Sequence, residues 1–284
     1  MSYWPYFLNA FLMIAMPIVL ARWIAARRRP GWELAGMGAL TFVLSQVGHI
    51  PFNWLVLQRF ALIPTDVTVF GNLLIYAAFL GLSSGVFEEG ARYLTYRYWA
   101  TEARTWGKGL MLGAGHGGIE SLLLGVLVAI NYVAMAAIDR GVWMPDIPAE
   151  QWPLVQAQVT AVFNAPWYLI LLGAVERLFA LCLHLAASLL VMQVFVRRQK
   201  RWLLAAIGLH GVANGVAVVT AVTWNAYISE LALAGVALLS VGIIFALRTP
   251  EPVEPELPLL PEPGPAPALQ MDVTAESLEN SRYT

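Results

Sequence analysis

Only one cysteine, Cys182, occurs among the 284 residues. A lone thiol excludes an internal disulfide framework and any zinc site built from cysteine pairs. Charge is scarce as well. Asp, Glu, Lys and Arg together make up 12% of the chain, against a soluble average of about 25%. No His-Glu-x-x-His string is present, which excludes that zinc-protease helix. No aspartate falls inside an apolar run, so a pair of catalytic aspartates at membrane depth is excluded. The net charge of −1 says little by itself, because what matters is where the charges sit, and no nucleic-acid partner is expected. The first apolar run has no basic segment before it and is followed by "RWIAARRRP", so it reads as a retained span and not as a cleaved signal.

What is present in abundance is apolar sequence, at 59% of residues. Runs long enough to cross a bilayer, about 20 residues each, recur throughout. We read seven spans, at 5–24, 33–51, 68–90, 109–135, 167–195, 202–222 and 227–247. The expected fold class is therefore an all-α, polytopic transmembrane bundle. The run at 167–195 exceeds one bilayer thickness and has to tilt or project. All eleven tryptophans lie at span ends or in connections, where interfacial indoles belong. Basic residues cluster on alternate connections: Arg22 with Arg27, Arg28 and Arg29; Arg97 with Arg104 and Lys108; Arg197 with Arg198, Lys200 and Arg201. The other connections hold only Arg59 and Arg140. The positive-inside rule then puts the N-terminus outside and the C-terminus in the cytoplasm. Two units are expected: a helical domain over 1–248, and a disordered cytoplasmic tail over 249–284, where "TPEPVEPELPLLPEPGPAPALQ" cannot bury a core. The longest outer connection contains "IPAEQWPLVQAQVTAVF", which predicts an amphipathic surface helix.

Ionisable residues at bilayer depth cost free energy and mark functional sites by default. Span three carries Glu88, Glu89 and Arg92 in "GVFEEGARYLTY"; span four carries His116 and Glu120 in "GAGHGGIES". Span five carries Glu176, Arg177 and His184, and span six His210 and Asn214 in "GLHGVANGV". Glu88 and Arg92, His116 and Glu120, and His210 and Asn214 are spaced four apart, so each pair shares one helix face. Gly113, Gly115, Gly117, Gly118, Gly208, Gly211 and Gly215 accompany them and allow close helix approach in lipid. Glu89, His116 and His210 each lie eight or nine residues from a basic connection, about 12 Å from the cytoplasmic edge at about 1.5 Å per residue. The spacing predicts one buried polar cavity in the cytoplasmic half of the membrane. His49, at the far end of span two, reads as interfacial.

Neutral imidazoles with carboxylates can hold Zn²⁺ and leave a position open for water. A carboxylate beside them can serve as general base. Either Glu88 pairs with Arg92 while Glu89 faces the cavity, or the reverse; spacing leaves both open. The simpler alternatives are an ion pair neutralised near the interface, with Arg92 snorkelling, and a helix-packing pair at Glu176 and Arg177.

The set "EEGAR", "GHGGIES", "ERLFALCLH" and "HGVANG", in that order on successive spans, resembles the YhfC family of bacterial intramembrane metalloproteases. That family is similar to the CAAX prenyl endopeptidases, the PrsW-type proteases and the APH subunit of gamma-secretase. The resemblance covers about 5–247. It implies that a glutamate of the Glu88–Glu89 pair, followed by Arg92, activates water. It further implies that Glu120 belongs to the site, that His184 and His210 are its histidines, and that Asn214 completes an H-x-x-x-N pattern polarising a substrate carbonyl. His116 matches the YhfC-like branch alone. Two residues separate Glu89 from Arg92, as in PrsW-type proteins; CAAX endopeptidases have three, which argues against prenylated substrates.

The expected activity is thus hydrolysis of a peptide bond in a membrane-embedded polypeptide, in the bacterial cytoplasmic membrane, with Zn²⁺ as cofactor. Its metal ligands are expected among His184, His210 and His116, and its catalytic residues are Glu88, Glu89, Arg92, Glu120 and Asn214. Partners are the lipid bilayer and a membrane-protein or peptide substrate. Rival expectations are a non-catalytic scaffold of the same fold, and a proton-coupled transporter, which the confinement of the polar groups to one half of the bilayer disfavours.

Overall fold

A computed structural model describes residues 3–250 and residue 279. Among them every regular element is helical. Most of the tail expected from the sequence, from residue 251 onward apart from residue 279, lies outside the described residues.

Seven helical stretches among the described residues are long and apolar enough to cross a membrane. They are α1 (Trp4–Arg28), α2 (Glu33–Trp54, prolonged by a π-helical turn, Leu55–Arg59), α3 (Phe70–Tyr98) and α4 (Trp106–Asp139). After a short surface helix, α5 (Trp152–Asn164), come α6 (Trp167–Ile170) and α7 (Leu172–Val196), which together form one stretch. Helices α8 (Arg201–Thr223) and α9 (Ala226–Ala246) complete the bundle. All seven expected spans are found. The over-long fifth is interrupted at Leu171, and Asn9 of α1 caps the new start: its Oδ1 accepts from the Ala174 N–H at 2.8 Å. That N–H, in the first turn of α7, also reaches the Leu171 carbonyl at 3.1 Å. Helix α3 runs two turns beyond the expected end at 90, because Arg92 is buried in protein instead of marking the end of the apolar span.

The helices pack α3 on α8, α1 and α2 on α4, and α4 on α7, with α9 behind α7. In lipid, close packing of small residues replaces the hydrophobic drive between helices. Two contacts illustrate it. A Cβ at Gly81 of α3 would overlap the Gly211 carbonyl of α8, and one at Gly115 of α4 would overlap the Ala35 carbonyl of α2. Large apolar side chains face outward instead, among them Val47, Leu204, Leu231 and Leu238. The amphipathic helix expected in the outer connection is α5. Its Val159 and Phe163 are buried against Tyr6, Tyr132 and Met135, with the Tyr6 and Phe163 rings edge to face at 5.2 Å.

Candidate metal centre

Adjacent residues on a helix point about 100° apart, so Glu88 and Glu89 of α3 must look toward different neighbours. Glu89 turns to α8 and to its own helix. Its carboxylate forms an ion pair with Arg92, three residues on, and its Oε1 lies 2.8 Å from His210 Nδ1. Neither Glu89 nor Arg92 has any exposed surface. Glu88 turns to α4 and α2. Its Oε2 lies 3.1 Å from His116 Nε2 and 3.7 Å from His210 Nε2, and its Oε1 accepts from Gln46 Nε2 at 3.3 Å. Among the described residues no guanidinium or ammonium group pairs with Glu88, although it is 5% exposed. Of the two arrangements that spacing left open, the structure adopts the one with Glu89 on Arg92.

Helices α4 and α7 contribute a second carboxylate–histidine unit. Glu120 accepts from Arg177 Nη1 at 2.6 Å through Oε1, and its Oε2 lies 2.7 Å from His184 Nε2. Arg177 also pairs with Glu176. The other face of the His184 ring meets α3, where Arg92 Nη2 donates to Nδ1 at 3.3 Å. Ring centroids of His116 and His184 lie 5.1 Å apart, and those of His184 and His210 5.4 Å. Close helix contact makes this possible: a Cβ at Gly117 would come 2.7 Å from the His184 ring.

Seven of the sequence-derived residues, Glu88, Glu89, Arg92, His116, Glu120, His184 and His210, thus join one connected cluster. Asn214 lies beside it. Its Nδ2 donates to Ser84 Oγ at 2.6 Å, and with Arg177 it lines a cavity of about 60 Å³ between α7, α8 and α9. The residues that i, i+4 spacing puts on one helix face do not pair with each other. Glu88 does not take Arg92, His116 does not take Glu120, and His210 does not take Asn214. Residues on one face point in parallel, toward the neighbouring helix, and partners across the gap win.

Sequence reasoning missed the α2 side of the cluster. His49, read from the sequence as interfacial, is half-buried against α3, with Nε2 3.1 Å from Ser83 Oγ and 3.0 Å from Asn53 Nδ2. Gln46, His49 and Asn53 fall at i, i+3 and i+7, a polar stripe on one face of α2 that was legible in "QVGHIPFN".

A metal fits this donor set. One ligand atom each from Glu88, His184 and His210 lies within 4.8 Å of the others. Hydrogen bonding orients both imidazoles. His210 donates through Nδ1 to Glu89 and keeps a lone pair on Nε2, while His184 donates through Nε2 to Glu120 and keeps one on Nδ1. Carboxylates behind the rings are the usual supports of metal-binding histidines. His116 is one step removed: it reaches Glu88, and its buried Nδ1 has no hydrogen-bond partner among the described residues.

A multi-pass membrane protein with a histidine–carboxylate centre sealed between its helices is the class these features define. The chain belongs to the YhfC intramembrane metalloprotease family, whose model matches residues 12–236 and so contains every cluster residue. It is 31% identical over 243 residues to the uncharacterized membrane protein YhfC of Bacillus subtilis (strain 168), a match covering 82% of this chain and 92% of that protein. No solved structure matches the chain.

Proposed function

We propose that the protein is an intramembrane peptidase of the bacterial cytoplasmic membrane, hydrolysing a peptide bond of a membrane-embedded polypeptide, and that its metal is Zn²⁺. The observation carrying this reading is Glu88: a buried carboxylate with imidazoles but no guanidinium around it, at ligand range of His184 and His210. Glu89 and Glu120 are neutralised by Arg92 and Arg177. Glu88 has no such guanidinium among the described residues, and an uncompensated buried charge costs several kcal/mol. A divalent cation held by Glu88, His184 and His210 would remove that cost. Once bound, it would lower the pKa of water and polarise a carbonyl oxygen.

The chain's own groups have distinct duties. Glu89 and Glu120 hold the His210 and His184 rings in the tautomers that aim a lone pair inward. Arg92 braces both units, and its hydrogen bond to His184 Nδ1 would have to give way for that atom to hold a metal. Glu88 serves the attacking water, and replacing its charge removes that service along with its place in the ligand set. Asn214 and Arg177, which line the cavity between α7, α8 and α9, are assigned to the substrate backbone. Exclusion of bulk water by the bundle strengthens each of these electrostatic contacts.

The test compares wild type with Glu88→Gln, expressed at equal levels in host membranes, by mapping new protein N-termini. Wild type should generate N-termini inside or next to spans of membrane proteins, and Glu88→Gln should generate none. Purified wild type should carry near-stoichiometric zinc that is lost in His184→Ala and His210→Ala. Identical N-terminal maps for the two proteins would leave a scaffold role instead.

A further inference from the structure

Gln46, His49 and Asn53 form a hydrogen-bonded row along α2, and its direction can be worked out from the donors. Gln46 Nε2 gives one N–H to Glu88 Oε1 at 3.3 Å and the other to Ser45 Oγ at 3.2 Å. Its Oε1 therefore faces His49, 3.3 Å from Nδ1. A carbonyl oxygen only accepts, so the ring proton sits on Nδ1. Nε2 is left with a lone pair, which accepts from Asn53 Nδ2 at 3.0 Å. Reversing the row would turn the Gln46 oxygen onto the Glu88 carboxylate, setting two acceptors face to face. Only one direction is self-consistent with a charged Glu88. Phe87 stacks on the His49 ring, centroids 5.5 Å apart, and keeps the ring in the plane that the row requires.

We propose that His49 is a positioning residue for the metal centre: through Gln46 it holds the Glu88 carboxylate toward His184 and His210. The inference rests on the reading of Glu88, His184 and His210 as a metal site and adds a supporting shell on α2. His49 touches no ligand itself. The Glu88 carboxylate sets which way the Gln46 amide points, the His49 N–H anchors its oxygen there, and the amide supplies a neutral hydrogen-bond donor to Glu88 Oε1.

The test uses full-length protein in detergent with Co²⁺ as the probe, read by its visible absorption spectrum and by affinity from competition titration. Thermal unfolding of each variant is followed in parallel. His49→Leu removes the ring N–H, and Gln46→Leu removes the amide; each should weaken Co²⁺ binding ~10-fold, the scale at which supporting shells act. His49→Asn restores an N–H at the position of Nδ1 and should stay within about threefold of wild type. The double variant should be no weaker than Gln46→Leu alone, because the two residues act in series. Wild-type affinity in His49→Leu, equal losses in His49→Asn and His49→Leu, or additive losses in the double variant would each overturn the inference while leaving the metal site standing. A wild type that binds no Co²⁺ would overturn the metal reading and this inference with it, an outcome distinguished by the wild-type sample alone.

Discussion

At the scale of single residues, the pairing of Glu89 with Arg92 is the most consequential contact in the bundle. Both are wholly buried, so removing one strands the other's charge in a medium that cannot solvate it. Arg92→Leu should destabilise the protein by about 3–5 kcal/mol, read as a lower unfolding midpoint in detergent. The double variant Glu89→Gln with Arg92→Leu should recover most of that loss, because no charge is then left unpaired. The imidazoles of His184 and His210 must be neutral to bind a cation, and protons compete for the same lone pairs. Metal occupancy should therefore be full on the alkaline side and fall as pH is lowered from about 8 to about 5. Dialysis against a weak chelator at each pH, followed by elemental analysis, measures it. Occupancy unchanged over that range would remove the histidines from the ligand set.

At the scale of elements, the site depends on how closely α3 meets α8 and α4 meets α7. The α3–α8 contact is set by Gly81 against the Gly211 carbonyl, and the α4–α7 contact by Gly117 against His184. Gly81→Leu should force α3 and α8 apart and break the hydrogen bond between His210 and Glu89, abolishing metal binding while the spans still insert. Gly208 supplies the contrast. A Cβ there meets nothing within 4 Å, so Gly208→Ala should leave metal content unchanged, with helix propensity adding up to about 1 kcal/mol. Zinc content of the two purified variants, measured side by side, decides between backbone proximity and a general intolerance of larger residues.

At the scale of the whole molecule, seven spans put the two ends of the bundle on opposite sides of the bilayer. We propose the orientation that the Arg and Lys distribution favours, with the connections at Arg104 and Arg198 in the cytoplasm and that at Asp146 outside. After replacement of Cys182 by Ser, a cysteine at position 146 should react with a membrane-impermeant maleimide in intact cells. One at position 198 should react only after permeabilisation. The reverse pattern would invert the molecule and move the metal centre to the outer half of the membrane.

The chain by itself determined the seven spans, the helix in the outer connection and the identity of nearly every charged or imidazole group in the cluster. Those are legible because insertion into a bilayer is scored residue by residue along a segment, and a glutamate or histidine in an apolar run stands out wherever the helix later docks. Only the tertiary structure decided the pairings. Arg92 sits three residues from Glu89 and four from Glu88, and a helix makes both reachable. The choice fell to His210 and His116, which reach α3 from other helices and take one carboxylate each. Gln46 and His49 form a stripe legible on one face of α2, but that this face turns toward Glu88 is set by the packing of α2 on α3.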